Sequence, residues 1–105
     1  MTDANAVLLV EDESFTRRMM QIYFEKYGFV VEQAGNGREA LEVLKEKRVD
    51  LVITDVMMPE MTGLEMIGHI RKNFEPWQLP IMVLTSNDNN EQILAALDQG
   101  ANDFV

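Results

Sequence analysis

The chain has 105 residues, of which 47% are hydrophobic and 26% charged, and we expect it to form a single globular domain over 1–105. Eighteen acidic residues against nine basic ones give a net charge of −9. This argues against nucleic-acid binding by this segment, because phosphate-binding surfaces need excess Lys and Arg. The lack of Cys and the single His exclude disulfides, thiolate metal sites and sites built from several imidazoles.

Short apolar runs alternate with segments of helical periodicity along the chain. The runs cover 7–10, 29–31, 51–53 and 81–84, and a fifth begins at 104. They are continuous and rich in β-branched residues, which is typical of strands covered on both faces. Between them apolar residues recur every three or four positions, first at Phe15, Met19, Ile22 and Tyr23. The alternation predicts an α/β fold with a doubly wound parallel sheet and right-handed crossovers.

Helix boundaries are also signalled. Capping residues followed three positions later by Glu occur at 36–39, 62–65 and 88–91, and each predicts a helix N-terminus. Gly28 and Gly100 predict the ends of the first and last helices.

Carboxylates and hydroxyls follow the predicted strands. Glu11, Asp12 and Glu13 follow the first, Asp55 ends the third, and Thr85 follows the fourth. Ligands of open α/β sheets bind beyond the carboxyl ends of the strands. Strands one and three are neighbours in the common doubly wound order, so Asp12 and Asp55 are expected to face each other. Glu13 is interpreted as a solvated loop or capping residue.

The converging carboxylates predict a cation site. Two carboxylates ~5 Å apart repel each other by ~3 kcal/mol at an effective dielectric constant near 20. Oxygen ligands without imidazole or thiolate favour Mg²⁺ or Ca²⁺. The loop after the first strand lacks the alternating ligand pattern of an EF-hand, whereas Mg²⁺ needs only one or two carboxylates, waters and a phosphate oxygen. We therefore expect Mg²⁺, with Mn²⁺ as a substitute.

Four sequence features together resemble a response-regulator receiver domain of two-component signalling. They are the strand and acidic pair of 7–12, the Asp-Val-Met-Met-Pro-Glu-Met-Thr-Gly stretch of 55–63, Thr85, and the Gly-Ala-Asn-Asp-Phe stretch of 100–104. The resemblance covers essentially the whole chain. It implies a flavodoxin-like (βα)5 fold with strand order 2-1-3-4-5.

The resemblance also implies a role for individual residues. Asp55 would be the phosphoacceptor. The other implied roles are Mg²⁺ ligation by Glu11, Asp12, Asp55 and the backbone carbonyl of Met57, switching by Thr85 and Phe104, and loop shaping by Pro59 and Gly63.

Two features depart from the family pattern. Glu11 stands where the family often has Asp, and the family's catalytic Lys and last helix lie beyond Val105, so the domain is expected to be incomplete at its C-terminus. We expect strand side chains such as those of Leu8 and Ile53 to be exposed as a result. The 105-residue chain is then expected to phosphorylate poorly, and to be marginally stable or to associate, for example as a dimer through the truncated end.

The implied function is a phosphorylation-dependent switch in a cytoplasmic phosphorelay, not an enzyme with an external substrate. It would receive its phosphoryl group from a sensor histidine kinase or phosphotransfer protein and act on an output domain or partner, without membrane contact. One alternative is a receiver-like interaction module that is never phosphorylated. Another is an Mg²⁺-dependent aspartyl-phosphate phosphohydrolase, which Met57 disfavours because it stands where that class has a second Asp. A flavin carrier is set aside because 11–13 would repel its phosphate.

Overall fold

A computed structural model describes residues 5–55, 63–84 and 90–104, except for the side chains of 90–93 and 104. Strands and helices alternate along these residues, as the sequence predicts. The strands are β1 (Ala6–Val10), β2 (Val30–Ala34), β3 (Leu51–Asp55), β4 (Ile81–Leu84) and β5 (Asp103–Phe104). The helices are α1 (Ser14–Lys26), α2 (Gly37–Glu46), α3 (Gly63–Arg71) and α4 (Asn90–Gln99).

All strand pairs are parallel, and the order β2-β1-β3-β4-β5 confirms the predicted flavodoxin-like sheet. The first strand of the chain therefore lies inside the sheet, between β2 and β3. Leu9 is in register with Gln33 on one side and Ile53 on the other. This register brings the ends of β1 and β3 to the same edge.

The apolar core lies on both faces of the sheet. The larger cluster lies on the face covered by α2, α3 and α4, and it includes Leu8, Val10, Ala40, Val52, Met66, Ile67, Ile70, Val83 and Ala96. The smaller cluster lies on the α1 face and consists of Val7, Leu9 and Ile53, with Met20 and Phe24 of α1 packed against it.

The prediction that the strand side chains of Leu8 and Ile53 are exposed is wrong. Leu8 is 0% exposed and Ile53 is 3% exposed. Leu8 belongs to the larger core, away from the face in question, and Ile53 is in the cluster that Met20 and Phe24 pack against. On this face α1 covers Ile53, whereas Met82 and Leu84 of β4 are only partly buried.

The exposed apolar surface lies instead on α1. Phe15 is 70% exposed, Met19 51%, Ile22 49% and Tyr23 58%. Their spacing correctly predicts a helix, but these residues do not form its buried side. The helix therefore presents an apolar stripe to solvent.

The predicted helix ends are largely confirmed. Asn36 accepts a hydrogen bond from the Glu39 N–H at 2.9 Å, while the Glu39 carboxylate accepts one from the Gly35 N–H at 2.7 Å. The reciprocal bond is thus made one residue earlier than a capping box requires. Gly28 and Gly100 follow α1 and α4 with φ of 90° and 124°, conformations that favour glycine. The other two predicted start signals begin outside the described residues.

Arg71, at the end of α3, connects the elements at the amino end of the sheet. Its guanidinium donates to the carbonyls of Gly100 at 2.8 Å and Leu79 at 2.9 Å, and to Asn102 Oδ1 at 2.7 Å. The same Oδ1 accepts the N–H of Ile81, the first residue of β4, at 2.9 Å. We call these residues the Arg71–Asn102 cluster. Within the described part of the chain, no helix has the length and apolarity needed to cross a membrane.

Candidate acidic site at the carboxyl end of the sheet

Three carboxylates converge where β1 and β3 end. Glu11 and Asp12 follow β1 directly, and Asp55 is the last residue of β3. One carboxylate oxygen of each lies within 4.8 Å of the others. The cause is the parallel register, which pairs Val10 with Thr54 and so places the following residues side by side. The expected approach of Asp12 and Asp55 is confirmed.

The three carboxylates differ in their exposure to water. Glu11 is 8% exposed, Asp55 is half-buried and Asp12 is exposed. Burial raises the pKa of Glu11, and a hydrogen bond to the side chain of Asp12 and the charges of Asp55 and Asp12 raise it further. A hydrogen bond from the Glu13 N–H acts in the opposite direction. The site therefore resists holding three negative charges.

Backbone hydrogen bonds fix the loop that carries Glu11 and Asp12. The Glu11 N–H donates to the Ala34 carbonyl at 3.0 Å, and the Glu13 N–H donates to Glu11 Oε2 at 3.0 Å. The Glu13 carboxylate accepts the Thr16 N–H at 2.7 Å and forms the N-cap of α1. The Glu13 carboxylate is therefore engaged in capping α1, which agrees with the interpretation of Glu13 as a capping residue.

Arg17 is not among the residues predicted to form the site, but it hydrogen-bonds to the loop that carries Glu11 and Asp12. Its Nη1 donates to the Glu11 carbonyl at 2.7 Å, and its Nε donates to Gln33 Oε1 at 3.3 Å. Arg17 lies one turn after the Glu13 cap, so its side chain extends back toward the helix start. This spacing is the signal that could have identified it.

The other predicted site residues are only partly described. Met57, Pro59 and Thr85 lie outside the described residues. Gly63 is buried at the start of α3, and Phe104 pairs with β4 through its backbone in β5. The roles assigned to all five remain predictions.

The chemistry of the acidic site suits a hard divalent cation. Its donors are carboxylate oxygens only, which Mg²⁺ prefers over nitrogen and sulfur ligands. Carboxylates ~5 Å apart repel each other by ~3 kcal/mol at an effective dielectric constant near 20. A cation between the carboxylates would attract all three and offset their repulsion. The same repulsion, from the charges of Asp55 and Asp12, contributes to the raised pKa of Glu11.

Comparison with known proteins gives a consistent result. Residues 7–105 match the family model described as the response regulator receiver domain. The chain is 38% identical over 99 residues to response regulator MprA of Mycolicibacterium vanbaalenii, and 32% identical over 102 residues to transcriptional regulatory protein SrrA of Staphylococcus aureus. These alignments cover 94% and 97% of this chain but only 42% and 41% of the relatives. The chain thus spans about two fifths of their length.

Solved structures agree with the fold. The chemotaxis protein CheY4 of Vibrio cholerae superposes with a TM-score of 0.90 at 33% identity, over 98% of this chain and 86% of that one. The fold, the acidic edge and the sequence similarity all point to the same family.

Proposed function

The chain belongs to the response regulator receiver family, and from this premise we propose that it is a phosphorylation-dependent switch with Asp55 as its phosphoacceptor. Receiver domains act in two-component signalling, where they take phosphoryl groups from histidine kinases, and they are in general signalling rather than catalytic domains. The observation that carries the proposal is the group of three carboxylates at the shared edge of β1 and β3. Asp55 is the member that ends an otherwise buried strand.

The proposed chemistry is transfer from a phosphohistidine to Asp55. A carboxylate oxygen of Asp55 forms a bond to phosphorus, while the bond from phosphorus to the imidazole nitrogen breaks and its electron pair stays on that nitrogen. The backbone of β3 fixes Asp55 against β1 and β4, so its position is set before the donor arrives. Arg17 and the Glu13 N–H hold Glu11 in place beside it.

We propose that Glu11, Asp12, Asp55 and the backbone carbonyl of Met57 hold Mg²⁺, or Mn²⁺ in its place. The family generally binds Mg²⁺ through acidic residues, and the oxygen-only donor set supports this here. Bound there, the ion would neutralise the negative charge of the carboxylates and of the incoming phosphoryl group.

The response to phosphorylation is proposed to involve the neighbouring strand ends. A phosphoryl group on Asp55 offers new acceptor oxygens, and the hydroxyl of Thr85 would donate to one of them. That movement would free space for the ring of Phe104. Pro59 and Gly63 would shape the loop after Asp55.

The partners follow from the same premise. A sensor histidine kinase or a phosphotransfer protein would supply the phosphoryl group in the cytoplasm. Residues 1–105 would form the receiver domain. Because the relatives are more than twice as long and one is a transcriptional regulatory protein, we propose that an output domain or partner reads the switch.

Phosphorylation of Asp55 is tested by intact-protein mass spectrometry. In the full-length protein, phosphoramidate with Mg²⁺ is expected to add one phosphoryl group, and Asp55→Asn is expected to abolish the adduct because amides are poor nucleophiles. Asp50→Asn, which changes an Asp at the opposite end of the sheet, is the matched control and should retain the adduct. An undiminished adduct in Asp55→Asn would refute the assignment.

The metal site is tested by Mg²⁺ titration. Asp12→Ala is expected to weaken Mg²⁺ binding about tenfold or more, since it removes a ligand, equivalent to about 1.4 kcal/mol. Glu13→Ala should leave the affinity within about twofold, because Glu13 caps α1. A thermal melt of both variants separates loss of the cap from loss of the ligand. Equal effects on Mg²⁺ affinity would show that the site is misplaced.

A further inference from the structure

A groove of about 560 Å³ lies between α2 and α3, on the sheet face opposite α1. Its floor is formed by Leu41, Leu44 and Phe74. These side chains are half-buried and pack against the larger core from its outer side. We propose that this groove, which we call the α2–α3 groove, binds an amphipathic helix with acidic flanks from a partner protein.

The shape of the groove suits a helix. Two packed helices leave a furrow into which the side chains of a third helix can insert. On α2 the groove is lined from Arg38 to Lys45, which is two helical turns or about 10 Å, and on α3 it is lined by His69 and Ile70. The groove therefore matches about two turns of a partner helix, with apolar anchors at positions i, i+3 or i+4, and i+7.

The charge of the rim identifies the occupant. Although the chain carries a net charge of −9, Arg38, Lys45 and Lys72 border the groove. An adjoining hollow of about 360 Å³ shares Leu44 and Phe74 with it. That hollow adds Lys47 and Arg48, so five of the nine basic residues of the chain surround one continuous depression.

Three of these five cations already pair with acidic residues of the chain: Lys45 with Glu42, Lys47 with Glu32, and Arg48 with Asp50. Glu42 lies 3.4 Å from Lys45, and both side chains are more than half exposed. Exposed pairs of this kind contribute little, so a partner carboxylate can replace Glu42 at small cost. Among the described residues, Arg38 and Lys72 form no ion pair. Acidic flanks on the occupant would therefore meet cations that are available for pairing.

A second copy of this chain fits the groove less well. The exposed apolar stripe of a second copy lies on α1, which carries Arg17, Arg18 and Lys26 against a single acidic residue, Glu25. Among the described side chains of α4, only Leu94 is a large exposed apolar residue, so α4 offers one anchor and not a stripe. Docking α1 there would bring cations against the cationic rim. The occupant is therefore a segment of opposite charge.

The probe is a synthetic peptide of about 14 residues, with Leu at i, i+3, i+7 and Glu at the flanking positions. Amide NMR shifts of the labelled protein are expected to change at Leu41, Leu44 and Phe74. The double variant Lys45→Glu/Lys72→Glu should bind the peptide about tenfold more weakly by fluorescence anisotropy. The matched control Arg18→Glu/Lys26→Glu, with the same charge change on α1, should bind within about twofold. All four positions are exposed, so both variants keep the core.

Several results would overturn the proposal. They are no shift change at millimolar peptide, shift changes confined to α1, or equal binding of a control peptide with Lys in place of Glu. Two others would assign the groove to another occupant. The first is self-association, seen in sedimentation, that the variant Lys45→Glu/Lys72→Glu abolishes. The second is binding to anionic vesicles that the same variant abolishes, in a protein that does not bind the peptide. None of the groove-lining residues belongs to the acidic site, so the test does not depend on the assignment of Asp55.

Discussion

The two ends of the parallel sheet are built in opposite ways. At the carboxyl end, Glu11, Asp12 and Asp55 bring like charges within 4.8 Å. At the amino end, Arg71 donates to the carbonyls of Gly100 and Leu79 and to Asn102 Oδ1, which also accepts the Ile81 N–H.

The two ends of β1 show the same contrast. At its start, the Asp50 carboxylate accepts the Ala6 N–H at 2.8 Å, and the Asp50 N–H donates to the Ala6 carbonyl at 2.8 Å. At its end, Glu11 is buried with a raised pKa. At the amino end of the sheet, polar groups form hydrogen bonds that connect the strands. At the carboxyl end, like charges lie close together and repel each other, which is common at binding sites.

The largest effect is expected from Arg71→Ala. It removes the hydrogen bonds to Gly100, Leu79 and Asn102 and leaves part-buried carbonyls without a donor. The free energy of unfolding should fall by about 2–4 kcal/mol in urea titrations. Arg18→Ala, on the exposed side of α1, is the control and should stay within about 0.5 kcal/mol. A loss for Arg71→Ala as small as that of the control would show that the amino end is not held by this cluster.

Matched Asp→Asn changes at the two ends are expected to have opposite signs. Without Mg²⁺, Asp12→Asn should raise the free energy of unfolding by about 1 kcal/mol, because it relieves repulsion that solvent only partly screens. Asp50→Asn should lower it by about 0.5 kcal/mol, because a neutral amide accepts the Ala6 N–H less strongly. Urea titration in EDTA measures both. Destabilisation by Asp12→Asn would contradict the idea that the acidic end is strained by like charges.

The smallest expected effect is a pH dependence that separates Glu11 from Glu13. The pKa of Glu11 is raised above its usual 4.5, first by burial, so its favourable contribution is complete below pH 4.5 and is lost as pH rises through the folded-state pKa. The pKa of Glu13 is lowered, first by the Thr16 N–H, so its contribution is present above pH 4.5 and lost as pH falls through the lowered pKa.

Thermal melts in EDTA from pH 3 to 7 would resolve the two contributions. Glu11→Gln should remove a decline in stability above pH 4.5, and Glu13→Gln should remove a rise as pH increases toward that value. Parallel pH profiles for the two variants would be inconsistent with their opposite environments.

The strand–helix alternation follows from the periodicity of the sequence, and the approach of Asp12 to Asp55 follows from the common order of doubly wound sheets. The full sheet order is predicted only through the resemblance to the receiver family. The sequence does not predict which side of α1 is buried. Apolar residues occur around most of that helix, so spacing alone cannot distinguish exposed Phe15 and Met19 from packed Met20 and Phe24.

The long-range polar contacts are harder to predict from sequence. Arg71 acts through Gly100 and Asn102, which are 29 and 31 positions away. The spacing of Arg17 from the Glu13 cap places it near the loop, but spacing does not reveal that its acceptor is the backbone carbonyl of Glu11. Such bonds depend on how the elements pack, and a basic residue at a helix surface looks the same in sequence whether or not it makes them.

The interior position of β1 has a consequence for synthesis of the chain. Ala6 hydrogen-bonds to Asp50, which lies 44 positions later in the chain, so the side of β1 that faces β3 cannot pair until Asp50 has been synthesised. At roughly 5–20 residues per second, the apolar run of β1 emerges about 2–9 seconds before β3 is available. Unpaired apolar strands aggregate, and flanking charges suppress this. Glu11, Asp12 and Glu13 directly follow that run, so the residues of the acidic edge would also protect the nascent strand from association while it waits.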